Sequence, residues 1–156
     1  MMDLGCYSIQ WVRFAAGGDP EVVAAEAECP VPGVDGSLTA ELRWPSGITG
    51  SAGASMIHPG DFEIWLEVVG DRGRLLATNP LAPQRGATIT VEAGGDVSTI
   101  VAARSSTYFH QLVAFRDAIE EGTPFPTTAD DAVRNMELLD ECYRAAGLEP
   151  RPSAPD

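Results

Sequence analysis

An α+β two-layer sandwich is the fold this sequence predicts, and three observations predict it. The chain opens with apolar residues at helical spacing, continues through short alternating segments joined by tight turns, and closes with two more helical segments. Connections this short make successive strands antiparallel neighbours. The expectation is a mostly antiparallel sheet of about six or seven strands, with helices on one face and the other face open for self-association.

The first helix follows from "MMDLGCYSIQWVRFAAGGDP", where Leu4, Tyr7, Trp11 and Phe14 form one stripe at steps of three and four. Ile9 and Val12 lie off that stripe, so the helix is apolar on more than one side, as in a helix sandwiched between layers. Gly17-Gly18 suit a left-handed C-terminal cap, and Asp19-Pro20 leads the chain away. A weak strand around Val23, Ala25 and Ala27 comes next, ended by the turn from Pro30 to Gly33. The clearest strand is "GSLTAELRW", with Leu38, Ala40, Leu42 and Trp44 on one face and Ser37, Thr39, Glu41 and Arg43 on the other. Pro45-Ser46-Gly47 leads into "ITGSAGASMI", and "DFEIWLEVV" alternates again through Phe62, Ile64, Leu66 and Val68. Gly70 to Gly73 turns into "RLLAT", and two strands around Ile89 and Val91 and around Val97 to Val101 meet at Gly94-Gly95. Small residues on "ITGSAGASM", with Trp65, suggest a sheet face for pairing with another copy, the alternative being an ordinary solvated face.

Ser105-Ser106-Thr107 caps the next helix, which carries Tyr108, Leu112, Phe115 and Ile119 on one stripe and ends at Gly122. The last helix starts at Thr128, with Asp131 three residues on, and should bury Ala132, Met136, Leu139, Tyr143 and Ala146 before Gly147 caps it. One domain over 1–148 and a flexible tail over 149–156 complete the expected organisation.

Charge narrows the function. The 156 residues carry a formal net charge of -13, and all 10 basic residues are arginine. Such a balance repels phosphate backbones and anionic lipid, which argues against nucleic acid and membrane as partners. No apolar run is long enough to span a bilayer. Cys6, Cys29 and Cys142 lack metal-ligand spacing and read as buried free thiols in a cytoplasmic protein. His58 and His110, the chain's 2 histidines, have no clustered thiols or carboxylates, so no metal site is expected.

With the elements in place, "MDLGCYSIQWVRFAAGGDPEVVAA" resembles the start of the C-terminal domain of the glucose–fructose oxidoreductase, inositol dehydrogenase and rhizopine-catabolism family (Gfo/Idh/MocA). The family pattern is an Asp-x-Gly-x-His or Asp-x-Gly-x-Tyr helix with a Gly-x-x-Pro exit, matched by Asp3, Gly5, Tyr7, Gly17 and Pro20. "GVDGSLTAELRWPSGITGSAGAS", "LEVVGDRGRLL" and "YFHQLVAFRDAIEEGTPFPTTADDAVRNMELLDECYRAAG" continue the resemblance in order, to about Gly147. Tyrosine rather than histidine at position 7 is similar to the dihydrodiol dehydrogenase and glucose–fructose oxidoreductase branches.

The resemblance implies the second half of an NAD(P)-dependent sugar or polyol dehydrogenase, present without its Rossmann half. A Gly-x-Gly-x-x-Gly loop between a strand and a helix is not found, and a chain without lysine lacks the family's catalytic lysine. The expectation is therefore no cofactor on this chain alone, NAD(P) for a complete enzyme, a homo-oligomer, and a possible separate Rossmann partner. The alternative is a stand-alone noncatalytic dimerisation or small-ligand module.

By resemblance, Tyr7 assists proton transfer at a substrate hydroxyl and Asp3 orients the site; both fall on one helical face. Judged on the residues alone, Tyr7 is a core aromatic of its stripe and Asp3 a helix N-cap. A tyrosine also needs a neighbouring cation to act as a base near neutral pH. His58, in "MIHPGD", stands either as an exposed loop residue or as a weak substrate contact, and His110 as a hydrogen-bonded structural residue.

Overall fold

The computed structural model describes residues 1–125 and 127–150. Its elements are helix α1 (Gly5–Ala16), strands β1 (Glu21–Glu28), β2 (Ser37–Arg43), β3 (Thr49–Ser55), β4 (Trp65–Gly70), β5 (Gly73–Thr78), β6 (Thr88–Ala93) and β7 (Asp96–Val101), and helices α2 (Thr107–Glu120) and α3 (Ala129–Ala145). The α+β architecture and the seven antiparallel strands expected from the sequence are present, divided into a three-stranded sheet β1-β2-β3 and a four-stranded sheet β4-β5-β6-β7. They fall into two compact units, one of Met1–Gly60 with the chain from Ala129 onward, the other of Asp61–Thr128. The expected flexible tail lies, from residue 151, outside the described residues.

In the first unit α1 and α3 cover one face of the three-stranded sheet. The alternation of "GSLTAELRW" does what it predicts: Leu38, Ala40, Leu42 and Trp44 are buried and Thr39, Glu41 and Arg43 are exposed. Register places Ala40 opposite Ala52 and Ala25, so the covered face continues onto small residues of both flanking strands. Ile9 from α1 and Leu138, Leu139, Cys142 and Tyr143 from α3 complete the core. The small residues of β3 let α1 approach: the Ser8 hydroxyl donates to the Gly53 carbonyl at 2.9 Å. Ala54 packs against the core, so it is not part of an open pairing surface; the open face carries Thr39, Glu41, Ser51 and Ser55.

Three readings of facing are corrected. In α1 the buried residues are Gly5, Ile9 and Arg13, while of the expected stripe Tyr7 (41%) and Phe14 (84%) are exposed and Leu4 and Trp11 half-buried. In β1 a bulge between Val22 and Ala24 turns Val23 outward and puts Val22 against the core. In α3 the buried face is Asn135, Leu138, Leu139, Cys142 and Tyr143; Ala132 and Met136 are exposed. The helix ends agree with the sequence: Gly17, at φ 76°, and Gly18 both donate to the Arg13 carbonyl in a left-handed cap.

The second unit is a four-stranded meander followed by α2. Gly94-Gly95, at φ 62° and 89°, form the two-residue hairpin turn between β6 and β7. Register puts Trp65, Thr78, Thr88 and Val101 in one row, Glu67, Leu76, Thr90 and Thr99 in the next, and Val69, Arg74, Glu92 and Val97 in a third, all on one face. Hydroxyl pairs Thr78–Thr88 (2.8 Å) and Thr90–Thr99 (3.2 Å) and an Arg74–Glu67 ion pair run across it. Trp65, 60% exposed, stands at its edge. The Ser106 hydroxyl accepts from the Phe109 amide at 3.2 Å, capping α2 as expected. The helix buries none of its residues, however, and its stripe of Tyr108, Leu112, Phe115 and Ile119 is exposed.

The cysteines are free, but only Cys142 is buried; Cys6 is half-buried and Cys29 exposed, which corrects the expectation of three buried thiols. Burial, aided by Glu141, pushes the Cys142 thiol up to about 11. A thiol reagent at mildly alkaline pH should label Cys29 promptly and Cys142 only as the protein unfolds. Loss of the fast phase in Cys29→Ser checks the assignment, and prompt labelling of Cys142 would contradict it.

Candidate functional site

The site is built by whatever sets the roll of α1. Its buried stripe ends in a charge: Arg13, 9% exposed, donates from Nε to Asp19 Oδ1 at 2.7 Å and from Nη1 to Gln10 Oε1 at 2.9 Å. Its Nη2 lies 2.9 Å from Asp131 Oδ1, in the first turn of α3. Gln10 Nε2 donates to the other Asp131 oxygen at 3.0 Å, and Asn135 Nδ2 to the Cys6 carbonyl at 3.0 Å. Arg134 Nε joins from α3 by donating to Asp19 Oδ2 at 2.9 Å. A guanidinium this enclosed is tolerable only because nearly every donor has an acceptor. The network ties α1, the turn after it and α3 into one piece.

A second anchor holds the segment before α1. The Met1 amino group and the Tyr143 hydroxyl both donate to Asp35, the latter at 2.8 Å, and the Met2 amide donates to the Tyr143 oxygen at 3.2 Å. Burial drives the Asp35 carboxyl upward, but these donors outweigh it and hold the group below the usual carboxylate range. Met1 folds its side chain over Gly5, where a Cβ would sit 1.9 Å from the Met1 sulfur.

With both anchors on the inner side, α1 leaves Tyr7 and Phe14 exposed, with Trp11 half-buried between them and Asp3 exposed just before the helix. Tyr7 is therefore no core aromatic; its ring lies 6.3 Å from that of Trp11, tilted by 32°. Nor is Asp3 the helix N-cap, which is Leu4, with no side-chain cap bond; the Asp3 carbonyl accepts from the Cys6 thiol instead. Among the described residues the Tyr7 hydroxyl and the Asp3 carboxylate make no hydrogen bond, leaving both available to a ligand. His58 is exposed in the loop after β3, and no hydrogen bond, ion pair or ring contact joins it to Asp3 or Tyr7. His110 accepts or donates a bond at 2.8 Å with Ser105, the structural role expected of it.

The sequence reading missed Arg13, Asp19 and Asn135. The available signal was the spacing Gly5–Ile9–Arg13, which repeats every four residues and ends in a cation just before the Asp19-Pro20 exit. All described strand pairs are antiparallel, and no group of histidine, cysteine or carboxylate side chains among the described residues is placed to hold a metal. No described helix is long and apolar enough to cross a membrane.

The helix-backed antiparallel sheet and its leading Asp-x-Gly-x-Tyr segment are the features by which this chain can be compared with known proteins. Residues 1–76 match the family model described as GFO/IDH/MocA C-terminal domain, the family that Asp3, Gly5 and Tyr7 resemble. A D-xylose 1-dehydrogenase (NADP(+)) of Haloferax volcanii is 28% identical over 149 residues, covering 94% of this chain and 45% of that protein. A 3-ketoreductase from Actinomadura kijaniata, solved with NADP and TDP-benzene, shares the fold at a TM-score of 0.75 and 22% identity, over 96% of this chain and 46% of its own. UDP-N-acetylglucosamine 3-dehydrogenase from Acidithiobacillus ferrooxidans does so at 0.80 and 16% identity, over 93% and 46%. The chain spans about half the length of these relatives.

Burial raises the Asp19 carboxyl, but hydrogen bonds from Arg13 and Arg134 outweigh it and hold the group below its ordinary 3.8. A carboxyl depressed in the folded state stabilises the fold above its unfolded value and loses that contribution as pH falls through the lower folded value. Asp19→Asn should therefore lower stability by about 1 kcal/mol at neutral pH, a figure held down by the partial exposure of Asp19. The gap from wild type should close below pH 3.8. Denaturant melts across the acid range check this.

Proposed function

We propose that Met1–Leu148 acts as the substrate-binding and oligomerisation domain of an NAD(P)-dependent sugar or polyol oxidoreductase, with the nucleotide held by a Rossmann segment outside this stretch of chain. The observation that carries the proposal is the roll of α1. It commits the buried side to Ile9 and Arg13 and leaves Asp3 and Tyr7 facing out beside Trp11 and Phe14, on an apolar surface suited to cover by another domain. The printed activities of the similar proteins, a xylose dehydrogenase, a ketoreductase and a sugar-nucleotide dehydrogenase, support the same class of substrate.

In this reading Tyr7 hydrogen-bonds the reacting oxygen of the substrate and relays its proton, Asp3 orients the substrate, and His58 is an additional contact. NAD(P) supplies the hydride chemistry when bound to the other segment. Proton relay by a phenol is favoured by a nearby cation, and with no lysine in this sequence that cation comes from the cofactor segment as well. The isolated chain is accordingly inactive and resides in the cytoplasm. Its self-association runs through the flat face of β4–β7, where short threonine pairs leave Trp65, Val69, Val97 and Val101 exposed.

Titrating the purified chain with NADH and NADPH, while following cofactor fluorescence, should give no saturable binding. Micromolar affinity for either would refute the division of labour proposed here. Joined to a Rossmann segment that reduces a sugar, Tyr7→Phe should lower kcat by about a hundredfold or more, with a smaller effect on KM. Thr90→Arg, in the middle of the flat face, should turn a dimer into a monomer by light scattering, and an unaffected dimer would exclude that face.

A further inference from the structure

Among the aromatic residues of α1, Trp11 alone is neither in the core nor open to solvent. Tyr7 and Phe14 are exposed on either side of it along the helix, and the indole between them is half-buried. The inward side of the helix is taken by Gly5, Ile9 and Arg13, so Trp11 lies on the flank, about one turn beyond Tyr7. The Tyr7 and Trp11 rings, 6.3 Å apart and tilted by 32°, form neither a parallel stack nor an edge-on contact.

Two further observations say what such a flank can hold. Trp44 donates its Nε1–H to the Gly18 carbonyl at 2.9 Å, whereas the Nε1–H of Trp11 has no acceptor among the described residues and is left to water or a ligand. The flank is also nearly free of charge. From Leu4 to Gly18 the only charged side chain is Arg13, and Asp19 and Asp131 enclose it on the inner side. The nearest open charge is the Asp3 carboxylate just before the helix, an acceptor for hydroxyl groups.

A flat apolar ring, a phenol one turn away and a carboxylate beyond it suit a neutral molecule with a C–H face and hydroxyls at its rim. A pyranose is such a molecule. Its axial C–H hydrogens carry partial positive charge and meet the negative face of an aromatic ring, while its equatorial hydroxyls reach sideways to polar groups. We propose that a closed sugar ring stacks on the Trp11 indole while one of its hydroxyls meets Tyr7, which makes Trp11 the residue that selects pyranoses over open-chain polyols. The proposal rests on the reading that substrate sits at Tyr7, and it narrows that substrate from sugar or polyol to cyclic sugar. An open-chain polyol offers no flat C–H face and must freeze several rotors to imitate one.

Methyl β-D-xylopyranoside, whose ring cannot open and whose substituents are all equatorial, and xylitol, its open-chain counterpart, test this by NMR on the full chain. Trp11, Trp44 and Trp65 each give one indole N–H signal, assigned with Trp44→Phe and Trp65→Phe. The pyranoside should move the Trp11 indole and Tyr7 amide signals together, and xylitol at equal concentration should move Trp11 about fivefold less. Trp11→Leu should weaken the pyranoside's effect on Tyr7 by about fivefold, and Trp11→Phe, which keeps an aromatic face, should retain most of it. If Trp11→Leu fails to fold, the wild-type shifts decide alone. Movement of Tyr7 without Trp11, equal responses to the two compounds, or an undiminished response in Trp11→Leu would overturn the platform and leave Tyr7 as the substrate contact. No response on α1 to either compound would overturn the platform together with the reading of Tyr7.

Discussion

A single buried guanidinium decides what this protein shows to its surroundings. Helix α1 is apolar on two sides, and hydrophobicity alone would let either side face the sheet. Arg13 removes the ambiguity because its charge can be buried only where Asp19, Asp131, Gln10 and Asn135 converge on it. Burying that guanidinium where these acceptors are absent would leave a charge uncompensated, which costs more than exchanging one apolar stripe for the other. Ile9 follows Arg13 inward, and Tyr7 is carried outward with Phe14. The polar network thus acts as a register device, and the orientation of the candidate site is its consequence.

How much of this was legible in the sequence varies with the element. Strand β2 was fully readable, because a strict two-residue period with Leu38, Ala40, Leu42 and Trp44 on one side and charges on the other admits one orientation. Helix ends were readable for a similar reason: Gly17 and Ser106 act locally. The roll of α1 was not, since the residues that set it lie on another helix and in the turn beyond. The bulge in β1 escaped for the same cause, as it exists only in the pairing with β2. On α3, Asn135 hid the buried face, because a polar residue there makes sense only once the Cys6 carbonyl is beside it. Asp3 and Tyr7 were found by pattern, and their outward placement removes the two structural roles the residues alone had suggested.

The two compact units divide the labour by surface. One offers an exposed phenol on α1 and a carboxylate just before it; the other offers a sheet face on which threonine pairs and valines stand beside Glu67, Arg74 and Glu92. The threonines and valines lose little rotamer freedom on contact, which favours association over mere exposure.

The exposed apolar stripe of α2 has a colloidal consequence. Tyr108, Leu112, Phe115 and Ile119 would bring like molecules together on contact, and what keeps them apart is the mutual repulsion of a net charge of -13. That repulsion reaches only about 10 Å in a tenth-molar electrolyte and about 3 Å in molar brine. The purified chain should stay clear in dilute buffer and turn cloudy as salt is added, the reverse of a protein held together by surface ion pairs.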